Sequence, residues 1–272
     1  MEPMKTLVLI LPLFLPQDPT LGEQALARIN EFRKIAGLAP VEIDPKLSKG
    51  CIAHAAYLVK NSGHPSTAGL GAHNEDPKLP GYTPEGETAG KSSDINFIPP
   101  PESVDSWMAS LFHRVPILHP HLKKVGLGWA EGGEHGWVVV LDLTNGVAGG
   151  RQVPFVLYPA DKQTGVPLRF GGEIPNPIPK DSDGAGYPIT VTFPEGRPVK
   201  KVEATLKDAD GKVLEVWLSS PDKPADERFQ RNTIGVIAKD PFKPNTTYTV
   251  TITGKIGGSA WAKTWSFTTR EE

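Results

Sequence analysis

All seven histidines of this 272-residue chain (His54, His64, His73, His113, His119, His121 and His135) lie before residue 150. Imidazole changes charge near neutral pH and is the commonest metal ligand. His64 and His73 share residues 63–101 with Glu75, Asp76, Glu85 and Glu87. Imidazoles and carboxylates together supply what general acid–base work or a divalent metal needs. The stretch has little periodicity, and so long an irregular segment in a compact domain is usually functional or disordered.

Other groupings have plainer readings. His119-Pro120-His121 places two imidazoles at i and i+2, which reach one metal only from an extended chain; a polar turn is preferred. Ser106, Ser110 and His113 fall on one face of a helix, with Ser110 one turn from His113. Glu102 would lie about 16 Å from His113 along a straight helix, too far to orient it. No G-x-S-x-G elbow is present, so a polar helix surface is preferred over a serine–histidine mechanism. His135, in a glycine-rich turn, is expected to face solvent. Cys51 has apolar neighbours and no activating cation nearby in sequence, which predicts an inert buried thiol. Asn30 and Arg33, one turn apart, read as structural.

Composition narrows the class. The chain carries 29 basic and 31 acidic side chains, and a net charge of -2 argues against a nucleic-acid or polyanion binder. Glycine and proline number 28 each, which excludes a coiled coil, a long helical bundle and a helical solenoid. A single cysteine excludes an internal disulfide and cysteine-based zinc or iron–sulfur sites. Residues 6–15 form an apolar run after Lys5. The run is shorter than the roughly 20 residues that span a bilayer, so no transmembrane span is expected. It fits the apolar region of a secretory signal, and residues 1–19 are read as an export segment, with a buried N-terminal strand as the alternative.

The length suits two domains at roughly 100–200 residues each. The turn-rich stretch 145–150 divides them, giving 20–148 and 149–272. The first half reads as α/β. Leu26, Ile29, Phe32 and Ile35 predict a helix over 22–36 that stops at Gly37. A second helix starts at Asp44-Pro45 and ends near residue 61. A third follows Pro99 to Pro101 and presents Val104, Trp107, Met108 and Leu111. Two strands close the half, at 124–130 and 136–143. The second half reads as all-β, with strands at 154–158, 188–193, 200–207, 213–218, 246–253 and 264–269. Asp210-Gly211 signals a two-residue hairpin between two of them, and the spacing suggests an immunoglobulin-type sandwich.

From about residue 26 to 143 the chain resembles the CAP superfamily, in its bacterial SCP-like extracellular branch. The resemblance rests on Asn30-x-x-Arg33, Ala36-Gly37-Leu38-Ala39-Pro40-Val41, Asp44-Pro45-x-Leu47 and Ala53-His54-Ala55-Ala56-Tyr57. It continues through Ser106-Trp107-Met108-x-Ser110-x-x-His113-Arg114, Ile117-Leu118-x-Pro120-x-Leu122 and Val125-Gly126-Leu127-Gly128. The second half resembles a bacterial Ig-like domain. Tyr158-Pro159-Ala160-Asp161 is similar to its opening, and Lys243 to Val250 with Trp265 to Thr269 to its closing strands.

The resemblance implies an α-β-α sandwich with a central cleft, where many members place two histidines and two acidic residues and some bind zinc. It assigns His113 as one histidine and His73 as the other, with His64 as competitor. Gly86-Glu87-Thr88 keeps the first two letters of a Gly-Glu-Asn motif, which offers Glu87, but Ala89 to Ser93 aligns as an alternative without a carboxylate. Ser110 stands where some relatives carry glutamate. The implied cleft therefore comprises His73, His113, Glu87 and Ser110. His73 and His113, with Glu87 or Glu75 as a third ligand, would form the donor set for Zn2+ or another divalent metal. With that acidic set incomplete, the expected function is a secreted or cell-envelope-exposed, non-catalytic module binding a small molecule, peptide or glycan. A zinc-dependent hydrolase or peptidase, and a structural adhesin with a vestigial cleft, are the alternatives.

Overall fold

The computed structural model describes residues 19–150, 153–179 and 184–272, and the apolar run read as an export segment lies outside them. Helix α1 (Leu21–Ile35) starts at a capping box: the Glu23 N–H donates to the Thr20 hydroxyl, and the Thr20 N–H donates to the Glu23 carboxylate. Gly37 leaves the helix at φ +72°, a conformation open to a residue without Cβ. Helix α2 (Pro45–Lys60) is capped by the Asp44 carboxylate, with its proline in the first turn.

Four strands form the first sheet: β1 (Glu42–Ile43), β2 (Ser93–Asn96), β3 (Lys124–Glu131) and β4 (Trp137–Asp142). Their order is β1-β3-β4-β2, with β1 parallel to β3 and the other pairs antiparallel. The period of two along β4 builds the layers. Val138 and Val140 share a core with Cys51, Ala55 and Leu58 of α2 and with Ala89 of α3 (Pro84–Lys91). Val139 and Leu141 face the other way, into a core with Ile29 and Phe32 of α1 and with Val104, Trp107 and Met108 of α4 (Pro100–Met108). The result is an α-β-α sandwich.

Two sequence expectations are corrected here. Residues 63–101 are not irregular throughout, for they contain α3 and β2. Helix α3 holds Gly86 and Gly90, whose low helix propensity hides it in the sequence. Both glycines are required by close approach: a Cβ at Gly90 would come within 2.5 Å of the His54 ring, and one at Gly86 within 2.3 Å of the Glu75 carboxylate. The third expected helix ends at Met108, so Leu111 and His113 lie in the turn before a short helix α5 (Arg114–Ile117). Ser106, Ser110 and His113 therefore do not share a helical face.

The second half is two four-stranded sheets. Strands β5 (Val156–Tyr158), β7 (Ile189–Thr192), β9 (Val216–Ser219) and β10 (Thr233–Ala238) pair in the order β5-β7-β10-β9. Strands β6 (Gln163–Val166), β8 (Val199–Lys207), β11 (Thr247–Ile256) and β12 (Ser259–Thr269) pair in the order β6-β12-β11-β8. Sequence patterning missed β6 and β10. Every residue of β10 is buried, so it shows no alternation. The turn at Asp210-Gly211 forms, but it closes on the single bridge Lys207–Val213 before the chain crosses to the other sheet.

The two domains share one hydrophobic core. Arg114, fully buried, lies at the junction. Its guanidinium stacks over the rings of Tyr158 and Tyr187, at 4.9 and 4.4 Å from their centroids, and donates to the carbonyls of Met108 and Pro188. Within the first domain, α2 lies close on β3 because Gly128 has no side chain: a Cβ there would meet the Ile52 nitrogen at 2.2 Å. Gly128→Ala is expected to destabilise the fold by about 1–3 kcal/mol, as overpacking does. Gly149→Ala, with open space around it, should leave the urea midpoint unchanged.

Candidate functional site

His73 ends the short 3-10 turn Gly69–His73, and His113 immediately precedes α5. Chain folding puts both imidazoles on the walls of the same two adjoining cavities. The larger, about 390 Å³, is lined by His73, Trp107, Ser110, His113 and Glu173 among others. The smaller, about 290 Å³, is lined by His73, Asp94, Phe112, His113, Phe229 and Arg231 among others. Both lie between the α-β-α layers and the second domain.

Each imidazole is tied by Nδ1. The His73 Nδ1 lies 3.0 Å from the Gly90 carbonyl, which can only accept, so this nitrogen carries the proton. The His113 Nδ1 lies 3.0 Å from the Glu173 carboxylate. Neither Nε2 has a hydrogen-bond partner within the described residues. The two rings are tuned in opposite directions. Burial lowers the His73 pKa, and the charges of His113 and His54 add to the effect against the Gly90 hydrogen bond. Burial also works against a charged His113, but Asp94 and Glu173 outweigh it and its pKa is raised.

Glu173 was invisible to sequence reasoning. It reaches across from the second domain, and its side chain is fully buried. It accepts from the backbone N–H groups of Leu111 at 2.7 Å, Phe112 at 2.9 Å and His113 at 3.4 Å, as well as from the His113 ring. These bonds hold residues 111–113 in the turn between α4 and α5. The available signal was Gly171-Gly172 just before it. Gly171 packs where a Cβ would lie 3.0 Å from the Ala109 Cβ, and Gly172 has φ +78°.

Ser110 joins the site, but its hydroxyl donates to the Trp107 carbonyl at 2.7 Å and lies 3.3 Å from His113 Nδ1. Glu87 does not join. It lies on the outer side of α3, taking hydrogen bonds from Lys91 at 2.5 Å and Tyr82 at 3.1 Å. Glu75 is buried elsewhere, between the His54 ring at 2.9 Å and the Thr83 N–H at 2.8 Å. His64 caps its own turn through Ser66 and lines a different cavity. His119 and His121 stack edge to face in a turn, and His119 is driven down to about 4 by burial and by the charges of Arg231, His121 and Arg33. Burial pushes the Cys51 thiol up to about 12.

A catalytic zinc needs three protein donors. The carboxylates expected to complete the set, Glu75 and Glu87, are spent on other partners. Among the described residues no three His, Cys, Asp or Glu side chains are arranged to hold an ion. The residues present therefore do not fit the metal that the resemblance implied.

Two buried side-chain atoms among the described residues lack a partner: Asp94 Oδ2 and Trp107 Nε1. Both residues line these cavities. Asp94 is raised to about 7 by burial, with Glu173 adding and His113 and Arg231 opposing.

Comparison with known proteins places these features in a class. Residues 26–142 match the family model of the cysteine-rich secretory protein family, CAP, and residues 155–269 match that of a bacterial Ig-like domain. The chain is thus a CAP domain followed by a bacterial Ig-like domain. Among solved structures it is similar to CopC from Methylosinus trichosporium OB3b, at 16% identity over 42% of this chain and 88% of that one, with a TM-score of 0.27. It is also similar to a DUF4426 family protein from Pseudomonas aeruginosa PAO1, at 20% identity over 35% of this chain and 71% of that one, with a TM-score of 0.24. Likenesses this slight carry no argument. The comparison with curated proteins gives no match. Among the described residues no helix is long and apolar enough to cross a membrane.

Two outcomes are expected from this geometry. Glu173→Ala strands three backbone donors, and should cost about 2–5 kcal/mol in urea denaturation and lower the His113 pKa in an NMR titration. Asp94 binds its proton more tightly in the folded chain than its ordinary 3.8, so the stability it contributes is intact below that pH and lost as the pH rises through about 7. Asp94→Asn should therefore raise the melting temperature, more at pH 8 than at pH 4.5.

Proposed function

We propose that this chain is exported and acts as a non-catalytic binding protein, taking a small molecule, peptide or glycan into the cavity walled by His73, Trp107, Ser110 and His113. One observation carries the reading. The unpartnered buried polar atoms of the described side chains are concentrated on these cavities, where two imidazoles also leave Nε2 free. Native interiors satisfy nearly all buried polar groups, and two exceptions that line one cleft support a partner bound there. The cavity sizes lie near the lower end of the roughly 300–1,000 Å³ typical of small-molecule sites. Export is supported by the apolar run after Lys5 and by the secretory family of the first domain.

The non-catalytic reading is supported by what surrounds the imidazoles. Glu173 spends its oxygens on four donors, and the Ser110 proton goes to a carbonyl. The test has two arms. Calorimetric titration with Zn2+ should give no stoichiometric binding, and no metal-dependent peptide turnover should follow. Palmitate, a muropeptide and chitotriose, added separately to labelled protein, should include one that shifts the His73 and His113 Hε1 signals and the Trp107 indole N–H. Zinc-dependent turnover, or silence from all three probes, would overturn the proposal.

A further inference from the structure

The smaller cavity has a polarity that narrows its ligand. At its buried end stands Asp94 on β2, only 8% exposed, with Oδ2 accepting no hydrogen bond from any described residue. At its rim stands Arg231, exposed, forming no ion pair or hydrogen bond with any described residue. Its backbone lies at φ +46°, in the left-handed region that a long side chain seldom adopts. Lys91 also lines the cavity but is already paired with Glu87. Between these ends the wall is mixed: Phe112 and Phe229 stand with ring centroids 6.0 Å apart, beside Pro116 and Pro175, and His73, His113, Ser92, Ser93 and Thr144 supply polar groups.

We infer that this cavity is a subsite for a hydroxylated carboxylate of sugar size, a uronic acid, with Asp94 receiving ring hydroxyls and Arg231 receiving the carboxylate. The inference rests on the binding reading above and names the ligand class for part of the same cleft. Three features select this chemistry. A buried carboxylate without a partner requires a donor, and a neutral hydroxyl supplies one without adding charge. An unpaired guanidinium presents a fork of donors that matches a carboxylate. A wall that mixes aromatic rings with hydroxyls and imidazoles suits a sugar ring, which presents C–H faces and hydroxyl edges. A zwitterionic amino acid has the same two ends, but its ammonium would sit at Asp94 beside His113, whose pKa is raised. Glu173 does not compete for the ligand's donors, because its oxygens are already bonded.

The test uses the full chain and D-glucuronate followed by NMR and calorimetry. Saturable one-to-one binding is expected, with D-glucose at least tenfold weaker and L-serine weaker still. Arg231→Gln should weaken glucuronate tenfold or more while bringing its affinity close to that of glucose. Asp94→Asn should also weaken it at least tenfold, and a melting temperature at or above the parent's would show that the variant folds. Unchanged affinity in either variant, or tighter binding of serine than of glucuronate, would overturn the inference. If glucuronate fails while palmitate, the muropeptide or chitotriose still moves the imidazole signals, only this inference falls. Silence from every probe removes the binding reading as well.

Discussion

A carboxylate caught by backbone N–H groups organises the meeting of the two domains. Removing an anion from water costs several kcal/mol unless donors replace the lost hydration. Glu173 meets that condition with the N–H groups of Leu111, Phe112 and His113 and the ring of His113. The donors belong to the first domain and the acceptor to the second. The same contact therefore fixes the turn after α4, orients an imidazole and closes one wall of the cleft. The Ig-like domain thus supplies a wall of the cleft through Glu173.

The buried cations obey the same rule with the sign reversed. Arg33, which burial lowers to about 10, stays charged at neutral pH and donates to the carbonyls of Ala39, Ile117, His119 and Leu122. It thereby knits the end of α1 to the turn after α5. Arg114 combines carbonyls from both domains with the faces of Tyr158 and Tyr187. Neither guanidinium has a carboxylate partner among the described residues. The planar fork of donors explains why arginine and not lysine holds such positions.

Against this background of satisfied charges, the exceptions are informative. His54 and Glu75 spend their polar atoms on each other, on the Ala72 carbonyl and on the Thr83 N–H, so they anchor the segment that carries His73. Asp94 Oδ2 and Trp107 Nε1 find no such partners among the described residues, and both residues line the cavities. Elsewhere among the described residues the buried polar side-chain atoms find partners within the fold.

Elements whose signals are local were legible in the residues alone: the stop of α1 at Gly37, the capped start of α2, the strands β3 and β4 and the alternating β-strands of the second half. The sequence also singled out His73, His113 and Ser110 through resemblance. It missed α3, whose glycines answer to the His54 ring and the Glu75 carboxylate, and β10, which is buried on both faces. Glu173, Asp94 and Arg231 had no local signal, since a lone acid or arginine in the text says nothing about what it meets. Tertiary contacts brought Glu173 into the first domain's cleft, turned Glu87 outward to Lys91, and left Asp94 Oδ2 without a hydrogen bond among the described residues. Capping and periodicity are settled within a few residues of chain, whereas the cost of burying a charge depends on donors brought from some sixty positions away.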